Sequence, residues 1–248
     1  MKKNILIFCT VLAAFCLMAF SYMNWNNDKP AEIDLVYNIG SRFGATVTKE
    51  ELHKAKTVDD ITPERAEWDK ITFLNMRVTV MQDDEEITAL GENEVLNAGQ
   101  AKLLQAAGYS TNFYMTGRGK RKGAGPEGLM DNPKDEFNFA YYFTIVPEKE
   151  AEYVGGIEKL ISYLKKNSKK ETAIITEEQL KPCQINFTIT KNGSVAEVTL
   201  NQTSGFPSVD NTFVKLLENM PGKWRPAKNG KGKEVDQELV FFFGRQGC

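Results

Sequence analysis

The chain has 248 residues, 42% hydrophobic and 26% charged, an ordinary globular composition with room for one large or two small domains. A net charge of −2 removes the electrostatic case for a nucleic-acid partner. A single histidine leaves no His-based metal site and no repeated acid–base pair.

Lys2 and Lys3 precede an apolar run from Ile5 to Phe20 that only Thr10 interrupts, and Ala19-Phe20-Ser21 has the form of a cleavage site. Residues 1–21 therefore read as a cleaved signal peptide, an uncleaved membrane anchor, or a segment lipid-modified at Cys16. All three place the rest of the chain outside the cytoplasm, with membrane contact only through residues 1–21. Cys9 and Cys16 belong to this run, which leaves Cys183 and Cys248. In an oxidising compartment these two could form one disulfide, and two unpaired thiols fit equally well. No cysteine spacing matches a zinc site.

Residues 28–40 are a mixed polar lead-in. Thr48 and Glu51 form a capping-box pattern that predicts a short helix to about Lys56. Leu74, Met76, Val78 and Val80 alternate with polar residues and predict a half-buried strand. Asp83 to Glu86 read as a solvated turn, without the ligand spacing of a calcium loop. Residues 98–107 carry Ala101, Leu104 and Ala107 at helical spacing, with Gly108 as a left-handed stop. A strand near residues 110–116 follows. The basic, Gly-rich residues 117–128 read as a hairpin loop, since no Gly-Lys precedes Ser or Thr as a phosphate loop requires. Residues 137–146 alternate Phe137, Phe139, Tyr141 and Phe143 as a buried strand.

The charged stretch from Pro147 to Glu152 is the predicted boundary between a β-rich α+β domain (28–147) and a C-terminal domain (148–248). Gly155-Gly156 opens a helix in which Ile157, Leu160, Ile161 and Leu164 share one face. Lys165, Lys166, Lys169 and Lys170 gather at its C-terminal end, where the helix dipole favours cations. Ile185, Phe187 and Ile189 form one face of a strand. Asn192-Gly193 predicts a tight hairpin with both residues at positive φ, and Ala196, Val198 and Leu200 line the returning strand. Ser208 is the expected cap of a helix bearing Val209, Phe213, Leu216, Leu217 and Met220, stopped by Pro221. Leu239, Phe241 and Phe243 face inward on a last strand. The expected fold is α+β: helices laid on a three-stranded antiparallel sheet.

Several elements of residues 148–244 occur in the order found in the C-terminal domain of TonB, which this half resembles. They are Gly155-Gly156 with Leu160 and Leu164, Lys191-Asn-Gly-Ser194, Ser204-Gly205, Met220-Pro-Gly-Lys-Trp224-Arg-Pro226 and Gly232-Lys-Glu-Val235. The Met-Pro-Trp element has one inserted residue, and Ala227 stands where glycine is usual. The resemblance implies a non-enzymatic protein of a Gram-negative periplasm. Its partner would be an outer-membrane receptor or another envelope protein, bound by strand addition in TonB-dependent transport. The family pairs receptor segments with its last strand, here 235–243, so Val235, Asp236, Gln237, Glu238 and Val240 are the expected partner-binding edge. Trp224, Phe241 and Phe243 are expected in the core. Homodimerisation by strand exchange is compatible with this scheme.

Departures bear on energy coupling. The apolar run has no histidine, since His53 lies outside it; no long Pro-rich spacer is present; and the Tyr-Pro that commonly follows the first helix would fall near Lys170-Glu171. Residues 44–147 also resemble the C-terminal domain of GldM, of gliding motility and type IX secretion. The residues that carry this are 47–52, Met76 to Val80, Gly125-Pro-Glu-Gly128 and 139–146. That implies a structural component of such a machine, and a sensor or regulatory ectodomain is a further alternative. Ser204 and Ser208 have no histidine base near them in sequence, and Cys183 or Cys248 would need His53 from the other domain. No catalytic, cofactor or metal residues are expected.

Overall fold

Period-two alternation places two sheets in the chain, each covered by helices on one face. The structure, a computed structural model, describes residues 33–62, 71–82, 85–121 and 136–245. The first sheet has the order β2-β6-β5-β3-β4, built from β2 (Ala45–Thr48), β3 (Ile71–Gln82), β4 (Glu85–Gly91), β5 (Asn112–Arg121) and β6 (Glu136–Val146). All neighbours are antiparallel except β2 and β6. Helices α1 (Lys49–Lys54) and α2 (Ala98–Ala106) pack against each other, α1 touching β2 and α2 touching β3 and β4. Met76, Val78, Val80, Phe113, Met115, Phe143 and Ile145 make the core, with Leu52 and Leu104 from the helices. Phe113 stacks on Phe143 with centroids 5.0 Å apart.

The capping box of α1 is present: Thr48 N–H donates to Glu51 Oε2 at 2.8 Å and Glu51 N–H to Thr48 Oγ1 at 3.2 Å. Asn97 and Gln100 make a second box on α2 that sequence reasoning did not single out. Gly108 is not a left-handed stop, because α2 ends at Ala106 and the next residue, Ala107, is already extended (φ −62°, ψ 141°). The left-handed residue of that loop is Ser110, at φ 62°. Of the expected turn at 83–86, residues 83 and 84 lie outside the described residues, while Glu85 and Glu86 begin β4. Of the expected loop at 117–128, residues 117–121 belong to β5 and the rest lie outside the described residues.

The second sheet has four strands, not three, in the order β1-β13-β8-β9. These are β1 (Leu35–Gly40), β8 (Cys183–Ile189), β9 (Val195–Gln202) and β13 (Gln237–Arg245), all antiparallel. The extra strand is β1, from the segment that reads as a polar lead-in. Its Leu35, Tyr37 and Ile39 fall on one side, but three alternating residues are a short signal beside Asp34 and Asn38. β1 lies before the expected boundary at Pro147 and pairs with β13 after it, and contacts gather the described residues from Leu35 onward into one compact unit.

Helices α3 (Ile157–Thr172) and α4 (Pro207–Glu218) cover one face of this sheet. Leu160, Leu164, Val209, Phe213 and Leu217 meet Ile185, Phe187, Ile189, Phe241 and Phe243, all at most 2% exposed. Phe213 lies 4.9 Å from Phe241 and 4.8 Å from Phe243 between ring centroids. Each such ring contributes about 3–5 kcal/mol against truncation to alanine. The cap of α4 is Phe206, not Ser208, because Pro207 takes the first helical position, where its fixed φ fits and its missing N–H costs nothing. The loop before α4 is tied by the buried Asp210, whose carboxylate accepts from Ser204 N–H (2.9 Å) and from the Thr203 hydroxyl. Gly205 in that loop has φ +89°, and a Cβ there would stand 2.6 Å from Gln179 O, so only glycine fits. Between β8 and β9 the turn takes positive φ at Gly193 alone, not at Asn192, and Gly193 N–H donates to Thr190 O at 2.8 Å.

Trp224 is buried as expected, pairing with Tyr153 where β10 (Trp224–Arg225) meets β7 (Glu152–Tyr153), and its Nε1 points at Met220 Sδ 3.2 Å away. A last small hairpin joins β11 (Ala227–Lys228) to β12 (Glu234–Val235).

Candidate partner-binding edge

The strand expected at the sheet edge is in its interior. From Val240 to Arg245, β13 pairs with β1 on one side, and from Gln237 to Phe243 with β8 on the other. Val235 is taken up by Ala227 across the β11–β12 hairpin. Asp236 accepts from Lys191 N–H at 2.6 Å. Gln237 is 1% exposed, its Oε1 accepting from Ala151 N–H and its Nε2 donating to Glu150, both at 2.7 Å. Glu238 pairs with Thr188, and on its other side its N–H donates to Ser110 Oγ at 2.8 Å. Val240 is buried between Asn186 and Gly40. None of the five is a free edge residue. The physical reason is that β1 and Ser110, both remote in sequence, satisfy the flank that periodicity alone leaves open.

Two strands end the sheet instead. β9 is blunted: its pairing with β8 shifts register twice, and Glu197 sits at φ 52° in the left-handed region. Its outer residues are exposed, including Leu200 at 39%. Bulges and twist of this kind spoil an edge as a template for another strand. β1 has none of these devices. Its register against β13 is continuous over Leu35 to Gly40, it carries no charge and no proline, and Val36 is exposed. Tyr37 holds it down: the ring lies 5.1 Å from Phe243 and 5.9 Å edge-on from Phe213, with Lys165 Nζ 5.2 Å from its centroid. Ile39 adds a buried aliphatic side chain beside it.

A polar cleft of about 820 Å³ has walls from both sheets. Among the described residues that line it, Glu85, Glu86, Glu197, Asp236 and Glu238 face one cation, Arg42. Glu86 already accepts from Tyr114 Oη, Glu197 from Thr188 Oγ1, and Asp236 from Lys191 N–H in the β8–β9 turn. Burial pushes the Glu238 carboxyl above its ordinary range, and Glu197 adds to the rise, while Asn186 and Arg42 pull it back.

Cys183 is a free, buried thiol with Sγ 3.8 Å from Asp210 Oδ1; Cys248, its suggested partner, lies outside the described residues. Burial, then the Asp210 charge, pushes the Cys183 thiol up to about 12, so at neutral pH it is not a nucleophile. His53 is exposed on α1, its Nδ1 2.7 Å from Lys49 O. Among the described residues no group of three or more His, Cys, Asp or Glu side chains is placed to hold a metal ion. No helix of the described residues is long and apolar enough to cross a membrane, and residues 1–21 lie outside them. Sequence reasoning missed β1 and Ser110; for β1 the faint signal is the Leu35, Tyr37, Ile39 alternation, and for Ser110 there is none. Comparison with protein-family models, with curated proteins and with solved structures returns no match.

Proposed function

We propose that this chain is a non-enzymatic protein of a Gram-negative cell envelope that binds a partner by β-strand addition, as TonB-type domains do in transport across the outer membrane. The partner is an outer-membrane receptor or another envelope protein that supplies an extended segment to the β1 side of the four-stranded sheet. One observation carries the reading: the flank of β13 takes up a regular six-residue strand from outside the C-terminal unit, and that strand then presents an uncharged, unbulged outer edge. Main-chain hydrogen bonds along such an edge give affinity, and alternate side chains give specificity. The β9 side is the poorer template because its register shifts twice and Glu197 takes a left-handed conformation.

The test is capture from envelope extract with the full chain, beside a variant in which the exposed Val36 becomes lysine. Lysine on an edge strand opposes further pairing without disturbing the β13 ladder. Wild type should retain outer-membrane receptors and Val36→Lys should lose them. Recovery of motor or secretion subunits by both proteins would replace this reading with that of a structural machine component.

A further inference from the structure

We infer that the outward face of α3 docks on an anionic phospholipid surface, a membrane contact beyond residues 1–21. This contact rests on the envelope location proposed above and does not depend on strand addition. Lys159, Lys165, Lys166, Lys169 and Lys170 are all exposed, on the side of the helix opposite the buried Leu160, Ile161, Leu164 and Ser168. Within α3, Glu158 is the one carboxylate on that side. None of the five lysines pairs with a carboxylate among the described residues, and Glu177, shortly after the helix, is taken by Arg245 at 2.6 Å.

Helix stability does not explain the arrangement. The dipole favours cations only in the last turn, which holds Lys169 and Lys170, and Lys165 and Lys166 stand before it. Lys165 with Lys169 and Lys166 with Lys170 are like-charge pairs four residues apart, which weaken a helix. A face that repels itself is relieved by an external array of anions, and phosphate headgroups supply one. Two residues past the end of α3, Ile174 is 59% exposed, an apolar side chain suited to the boundary between headgroups and acyl chains. The chain length agrees. Lys165 Nζ lies 5.2 Å from the centroid of the Tyr37 ring on β1. Residues 22–34, between the apolar run and β1, span at most about 45 Å. A bilayer holding residues 1–21 is then within that reach of β1, beside which the lysines stand. The helices cover a face of the sheet and the β1 edge opens along its plane, so that edge stays free for a partner.

The probe is a vesicle of phosphatidylcholine with a third phosphatidylglycerol, beside one of phosphatidylcholine alone. The full chain carries an environment-sensitive fluorophore at Ser162→Cys, an exposed position amid the lysines, with Cys9, Cys16 and Cys248 changed to serine. The buried Cys183 stays unlabelled. Emission should shift to the blue on the anionic vesicles only, and high salt should reverse the shift. Inorganic phosphate without vesicles should give no shift. Each lysine at an anionic surface strengthens association about fivefold, so Lys165→Gln, Lys166→Gln, Lys169→Gln and Lys170→Gln together should lower the docked-to-free ratio about 100-fold or more. The shift should then be lost, and arginine at the same four positions should restore it. The urea midpoint of the glutamine variant should not fall, since like-charge pairs are removed. Residues 1–21 are the same in every protein, so their own membrane contact cancels. Equal emission on the two vesicles, or a glutamine variant that responds like wild type, would overturn the contact. So would a lysine-dependent capture of an acidic envelope protein without any vesicle response. No vesicle response with outer-membrane receptors still retained removes this contact and leaves the function proposed above. A vesicle response without any captured receptor supports the contact and removes that function.

Discussion

Strand β9 returns from β8 through a tight turn, whereas β1 reaches the same sheet across the whole of the first one. β9 is fixed at its ends. Gly193 sets the turn before it, and the Ser204-Gly205 loop after it is bolted to Asp210 on α4. The middle of β9 is bulged and shallow. β1 is fixed along its length, by a continuous ladder and by Tyr37 and Ile39 beneath it. The loop that β1 closes is also far longer, so its pairing forms against more chain entropy and is expected late in folding.

The comparison breaks most readily at the bolt. Asp210→Ala leaves Ser204 N–H without its acceptor inside a buried loop and releases the Thr203 hydroxyl. Hydrogen bonds to charged groups are worth about 1.5–3 kcal/mol each, so a loss of about 3 kcal/mol is expected in urea unfolding. A loss under about 1 kcal/mol would mean that β9 is held by its strand after all. The same loop buries Cys183, whose raised pKa predicts that the native protein resists alkylation there at pH 8 and reacts only on unfolding, as peptide mapping would read.

The two strands themselves give the next contrast. Ile39→Ala on β1 removes a side chain that is 8% exposed and should cost about 2–3 kcal/mol. Leu200→Ala on β9 removes one that is 39% exposed and should cost less than about 1 kcal/mol. Equal losses would erase the distinction between a strand held along its length and one held at its ends.

Legibility in the sequence follows the range of the interaction. The face of β8, the stripe of α3 and the capping box of α1 depend on residues within a few positions of one another, and they stand as periodicity places them, whereas α4 ends at Glu218, short of Met220, and Val240 on the expected outer face of β13 is buried. The turn at Gly193 was placed correctly with the wrong backbone at Asn192, since Asn-Gly fits more than one turn. The neighbours of β13 depend on Leu35 to Gly40 and on Ser110, which no local pattern connects to it. The alternation of Leu239, Phe241 and Phe243 states which face is buried and says nothing of what pairs on either flank. For that reason the core was readable and the neighbours of β13 were not.

The smallest effect lies where the β1 ladder stops. Glu238 sits past the end of β1, on the cleft side, with its carboxyl pushed above the ordinary 4.5 chiefly by burial. Near pH 3 both folded and unfolded chains hold this proton, and the group contributes no difference. As pH rises past 4.5 the unfolded chain releases the proton first, while the folded chain keeps it until its higher value is reached. The folded state then binds more protons, so this group lowers stability as pH rises, and the penalty is complete above the folded pKa. Glu238→Gln removes the charge and should leave the protein as stable as wild type near pH 3 and more stable at pH 7. The gain should stay under about 1 kcal/mol, because the carboxylate remains partly open to water and screened. Urea midpoints across this range give the measurement. A difference that is flat with pH, or that favours wild type at neutral pH, would mean that Arg42 and Asn186 compensate the carboxylate fully, and that the end of the β1 flank carries no electrostatic cost of its own.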